Sequence, residues 1–161
     1  MRLPQKKIYS LEEAREKIRR YCAYQERSQK QAREKLKSYG LIPSVVDELF
    51  VELIQDNFLN EQRFADAFVQ GKFNQKGWGK RKIEVELKKH GVSRHCAEIA
   101  LSNVEKDEYS LKLLKVAEKK WRSLLHEPKR VRKQKAIRFL LGRGFFYEEI
   151  KEALVRIERN D

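Results

Sequence analysis

The segment "IEVELKKHGV" (residues 83–92) places Ile83 and Leu87 four residues apart and stops at Gly91. Apolar residues at that step, closed by a glycine, describe a helix that ends in a left-handed cap. The same frame occurs twice more, as "AREKLKSYGL" (32–41) and "AIRFLLGRGF" (136–145). Leu36, Leu87 and Leu140 correspond, as do Gly40, Gly91 and Gly144, followed by Leu41, Val92 and Phe145. Ten residues past each glycine stand Phe50, Leu101 and Leu154, and three further on Leu53, Val104 and Ile157. The copies are offset by 51 and then 53 residues (36 to 87 to 140).

Helical units repeated at such a period stack and bury each other's apolar faces. The spacing therefore predicts an all-α chain of about nine helices in three tandem three-helix repeats, over 10–55, 58–105 and 107–158. An elongated, curved shape follows. Ser10 with Glu13, and Ser28 with Gln31, read as capping boxes at the first two helix starts. Leu11, Ala14, Ile18, Tyr21 and Cys22 form the first buried stripe, and Ala32, Leu36 and Tyr39 the second. Pro43 and Ser44 open the third helix, with Val46, Leu49, Phe50 and Leu53 inward. Asn60 is the expected cap of the next unit, whose first helix buries Phe64, Ala65, Phe68, Val69 and Phe73. The third unit opens near Asp107, and "HEPKRV" (126–131) is its first loop.

Hydrophobic residues at 40% are enough for a core, while a net charge of +13 points to an acidic partner, nucleic acid above all. The start, "MRLPQKKIYS", has no apolar signal core, and no run reaches membrane-spanning length. A cytoplasmic monomer is expected. Cys22 and Cys96 fall in helical stripes and read as small buried thiols of a reducing compartment.

The cations are patterned by repeat. No acid occurs between Asp66 and Glu84, a stretch holding Lys76, Lys80, Arg81 and Lys82 around Trp78. None occurs between Pro128 and Tyr147, which holds Lys129, Arg130, Arg132, Lys133, Lys135, Arg138 and Arg143. Cations in a first helical turn oppose the helix dipole, so Lys80, Arg81 and Lys82 point to an external partner. These residues are the candidate partner- and DNA-binding set; Trp78 reads equally as a base-stacking platform and as a core anchor. Solvated helix faces also carry such runs.

Catalytic patterns are missing. In "KGWGKRK" (76–82) the glycines are too close for a phosphate-binding loop, and Arg81 replaces the hydroxyl residue that would hold a metal. His90, His95 and His126 lack metal-ligand spacing, Glu84 and Glu86 lie on different sides of a helix, and Ser28 and Ser44 are better caps than nucleophiles. No enzyme and no cofactor are expected.

Three stretches, "ERSQKQAREKLKSYGL" (26–41), "FLNEQRFADAFV" (58–69) and "KGWGKRKIEVELKKHGV" (76–92), closely resemble the RecX family, regulators of the RecA recombinase. With the third repeat the resemblance covers nearly the whole chain. One departure is Asn60-Glu61, where family members often carry Asp before the Arg-Phe-Ala segment. The resemblance implies a non-enzymatic modulator that lodges in the groove of the RecA–single-stranded DNA filament. It would suppress ATP hydrolysis, strand exchange and co-protease function. An alternative is a stand-alone DNA-binding protein, for single or double strands, whose helix pairs work as helix-turn-helix units. The residues after the three glycines are poor in base-reading Arg, Asn and Gln, which counts against it. A pure protein scaffold is the third reading.

Overall fold

The computed structural model describes residue 3 and residues 7–161; the start of the chain, read above for a signal core, falls in part outside them. The described residues form nine α-helices and no strand. Unit 1 holds α1 (Leu11–Tyr24), α2 (Gln29–Lys37) and α3 (Pro43–Gln55). Unit 2 holds α4 (Glu61–Lys76), α5 (Lys80–Lys89) and α6 (Arg94–Ser102). Unit 3 holds α7 (Lys106–Ser123), α8 (Lys129–Gly142) and α9 (Tyr147–Arg159).

Local chemistry explains the helix ends. Ser10 and Ser28 each accept from the N–H three residues on, and Glu13 and Gln31 return the bond. Asn60 Oδ1 accepts from Arg63 N at 2.8 Å, so the departure from Asp keeps the cap. Gly40, Gly91 and Gly144 have φ of 76°, 76° and 95°, the left-handed region that costs glycine nothing. The N–H groups of Val92 and Phe145 reach back to the carbonyls of Leu87 and Leu140 at 3.1 and 3.2 Å, satisfying groups that a helix end leaves open. Leu36, Leu87 and Leu140 are fully buried beneath these turns.

Helices pack chiefly within their own unit, and the accessible surface is 11019 Å². A compact globule of this mass would show about 8,500 Å². The chain is thus elongated. Its core is in two parts. One runs unbroken through units 2 and 3, where Tyr109 of α7 lies 5.8 Å from Phe73 of α4 and 5.7 Å from Phe145. The other belongs to unit 1 and the turn that follows it, through Phe58 and Leu59. The expectation that all neighbours share apolar faces is therefore corrected at the first seam. That seam is polar: Arg63 Nε donates to Glu26 at 2.6 Å, and Lys30 Nζ to the Lys89 carbonyl at 3.3 Å.

Smaller corrections follow from the same packing. Leu11 is exposed because it sits in the first turn, beyond the reach of α2 and α3. Tyr21 and Phe68 are half-buried. Cys22 is buried, and burial pushes its thiol up to about 11, so it stays protonated. Cys96 is only half-buried, with Sγ 3.7 Å from Glu61 Oε2. The loop between α7 and α8 is residues 124–128; Lys129, Arg130 and Val131 already belong to the first turn of α8.

Candidate partner and nucleic-acid interface

The "KGWGK" turn is a joint. Gly77 ends α4 with φ 64°, and Gly79 starts α5. Gly79 N donates to the Arg143 carbonyl at 2.8 Å, and Arg81 N to the Gly144 carbonyl at 3.1 Å. The first N–H groups of α5 thus satisfy carbonyls at the end of α8. Gly79 approaches so closely that a Cβ there would lie 2.4 Å from the Gly144 carbonyl carbon and oxygen. A Cβ on Gly144 would lie 2.4 Å from Lys82 Cβ. The turn that opens the second helix of unit 2 is thus interlocked with the turn that closes the second helix of unit 3.

This gives the cations of the α5 first turn a structural partner. They oppose their own helix dipole but stand beside the negative end of α8, which offsets the cost. Lys80 Nζ lies 4.9 Å from the Tyr109 ring centroid, and Lys82 Nζ 4.4 Å from that of Trp78. Of the three, only Arg81 is fully exposed. Trp78 packs against the shared core with Lys72 Nζ also 5.0 Å from its ring, the geometry of an anchor. Tyr109 accepts from Lys80 N at 3.1 Å through its hydroxyl oxygen, and burial raises its hydroxyl pKa well above the usual value.

The α8 cluster divides. Arg132 was expected at the interface, and the structure corrects this: it is 9% exposed. Its guanidinium lies 3.9 Å from the Trp121 ring centroid, and Nε donates to the Trp121 carbonyl at 3.0 Å. It holds α7 to α8. Lys135 pairs with Glu127. Lys129, Arg130, Lys133 and Arg138 are exposed. Arg143, half-buried, donates to the Lys76 carbonyl at 2.7 Å and lies 5.0 Å from the Phe139 ring centroid.

Around Arg143 opens a cleft of about 610 Å³ between the end of α4, the outer face of α7 and the end of α8. Lys76, Lys112, Lys115, Lys119, Lys120 and Arg143 line it, and no carboxylate does. The four α7 lysines were not among the sequence candidates. Their signal was present: Lys112, Lys115 and Lys119 recur at three- and four-residue steps, one face of a helix. Acids interspersed along α7, Glu108 one turn before Lys112 and Glu118 on another face, hid it from a reading of acid-free stretches. Among the described residues no three His, Cys, Asp or Glu side chains gather as a metal site, and no helix is long and apolar enough to cross a membrane.

Comparison with known proteins fits this architecture. Residues 60–101 match the model of the second three-helix domain of RecX, and residues 107–154 that of the third. The chain belongs to the RecX family. It is 35% identical over 109 residues to the regulatory protein RecX of Serratia proteamaculans, covering 68% of this chain and 63% of that one. To RecX of Clostridium tetani it is 27% identical over 137 residues, covering 84% of this chain and 62% of the relative. It thus spans less than two thirds of the length of either curated relative. The crystal structure of RecX from Lactobacillus salivarius superposes with a TM-score of 0.81 at 25% identity, over 92% of this chain and 96% of that one. The RecX units matched by the two domain models are the two that share a core here.

Proposed function

We propose that this chain is a non-enzymatic regulator of the RecA recombinase, acting in the cytoplasm as a monomer on the filament that RecA forms on single-stranded DNA. The observation that carries the reading is the match of units 2 and 3 to consecutive RecX domains. The physical form supports it. An elongated array can lie along the groove of a helical polymer and touch more than one subunit. Preference for one filament state is then enough to shift its activity. ATP hydrolysis, strand exchange and co-protease function are the activities it suppresses in this reading.

The exposed cations Lys129, Arg130 and Lys133 at the start of α8, with Arg81 at the start of α5, are the contact candidates that the fold does not use internally. A stand-alone helix-turn-helix role is disfavoured by α6, whose exposed residues are Arg94, paired with Glu98 at 2.8 Å, and His95, Ile99 and Ser102, a set with a single base-reading cation that is already bonded.

The test is ATP hydrolysis by RecA on single-stranded DNA with the chain added. Hydrolysis should fall as the chain approaches the filament concentration. Replacing Lys129, Arg130 and Lys133 together by Ala should weaken the effect without altering the circular dichroism spectrum. Unchanged hydrolysis at saturating parent protein would sink the regulatory reading.

A further inference from the structure

The cleft at the joint of units 2 and 3 differs from the other charged surface in three ways. It is concave, it is lined by six cations and no acid, and none of those six has a carboxylate partner within 4 Å among the described residues. Several cations elsewhere are committed, whereas the free ones at the starts of α5 and α8 stand on exposed helix turns. Arg15 bonds Glu52, Arg33 bonds Asp47 and Arg63 bonds Glu26.

Three fixed points shape the cleft. Lys112 Nζ donates to the Asn74 carbonyl at 3.0 Å. Lys120 Nζ lies 4.7 Å from the Phe139 ring centroid, and Arg143 lies over the same ring. Arg143 is also bonded to Lys76 O, so its position is set by both units. Lys115 and Lys119 are exposed between these points. Along α7 the row Lys112, Lys115, Lys119 spans about 10 Å at 1.5 Å per residue.

We propose that this cleft is a binding site for the sugar–phosphate backbone of a nucleic-acid strand, with Lys112, Lys115 and Lys119 as the phosphate row and Arg143 at its end. A polyanion needs closely spaced cations and gains affinity by releasing its counterions. A protein partner would instead need buried aromatic or aliphatic anchors at the centre of its interface. The cleft offers only Val116 and Phe139, and Phe139 already lies beneath Lys120 and Arg143. The proposal rests on the regulatory reading for the source of the strand, the recombinase filament, and not for the strand itself.

The test uses the full chain and a fluorescein-labelled oligothymidylate, titrated over a series of salt concentrations. Lys112→Gln, Lys115→Gln and Lys119→Gln are combined in one variant. The control variant removes equal charge elsewhere, through Lys37→Gln, Lys88→Gln and Lys151→Gln, all exposed and outside the cleft. Each lost phosphate contact should lower the log–log salt slope by about 0.7, so the cleft variant should lose about 2. At 0.15 M salt that is roughly a fifty-fold loss of affinity. The control variant should stay within about twofold. A double variant at the exposed Lys115 and Lys119 gives the smaller loss of two contacts and leaves the Lys112–Asn74 bond in place. Equal losses in cleft and control variants would overturn the site in favour of diffuse net charge. Unchanged strand affinity with lost RecA suppression would overturn it in favour of an acidic protein surface. Lost strand affinity with RecA suppression untouched leaves the cleft standing and removes the regulatory role from it.

Discussion

Arg132 lies over Trp121, its guanidinium carbon 3.9 Å from the ring centroid, while the indole Nε1 and the guanidinium both donate to Asp161, at 2.7 and 3.4 Å. A cation that composition assigns to a partner is spent on joining α7, α8 and Asp161, two residues past the end of α9. Arg132→Ala should therefore destabilise unit 3 by about 2 kcal/mol or more, the scale of a desolvated cation–π contact. Arg132→Lys should recover only part, since an ammonium lacks the planar fork. Thermal melts should show the loss, and strand affinity measured below the transition should stay near the parent's. A large drop in affinity with an unchanged melt would return Arg132 to the interface.

The contact between Gly79 and Gly144 leaves no room for a methyl group. Gly79→Ala should cost about 1–3 kcal/mol through overpacking. Gly144→Ala adds the left-handed backbone penalty of roughly 1 kcal/mol. Gly142→Ala is the internal control, because a Cβ there meets nothing within 4 Å and helix propensity improves. Urea midpoints of the three variants should fall on opposite sides of the parent; three equal midpoints would contradict the joint.

The split core predicts a split response. Leu36, Leu87 and Leu140 are each fully buried, and truncation to Ala should cost about 2–5 kcal/mol in every case. Leu36→Ala should raise amide hydrogen exchange only over residues 11–55, the unit with its own core. Leu87→Ala and Leu140→Ala should raise it through units 2 and 3 together. Exchange rising uniformly along the chain in the Leu36 variant would argue for a single cooperative body.

His90 packs edge-on against Phe64 and Phe68, with ring centroids 5.5 and 5.2 Å away. Burial lowers its pKa below the usual 6.5; Glu86 opposes this, and Lys30 and Lys72 add to it. The unfolded chain then binds the proton more readily than the folded one, so this contribution is present above 6.5 and lost as pH falls through the folded value. Urea midpoints of the parent should drop as pH falls below about 6.5, and His90→Phe should flatten that part of the curve. Identical pH profiles for the two proteins would remove His90 from the account.

The repeat was legible because each copy writes the same physics into nearby residues. A leucine, a glycine four positions on and an apolar residue after it are enough to mark a helix, its stop and its return. The Gly79–Gly144 contact was not legible, because nothing in a glycine's own neighbourhood says which distant backbone will approach it. Arg132 was readable in hindsight. It stands four and eight residues before Ala136 and Leu140, on the buried stripe of α8, at the repeat position of Ser28 and Gly79. Those two residues begin their helices, whereas α8 starts a turn earlier. The extra turn, Lys129 to Arg132, supplies much of the basic cluster. The α7 lysines were not legible because acid-free runs along the chain are a poor guide to where cations gather in space.

The joint between α5 and α8 is made of peptide groups, and that bears on how this chain could measure another molecule. Two main-chain hydrogen bonds and a glycine–glycine contact fix the rotation and rise from unit 2 to unit 3. Neither bond depends on what Lys80, Arg81 or Arg143 carry as side chains. The exposed Lys115 and Lys119, which make no bond across the joint, can therefore be exchanged to suit a different anion without changing the pitch at which they are presented. Specificity for charge and specificity for spacing are held by different atoms, so each can be retuned by substitution while the other stays constant.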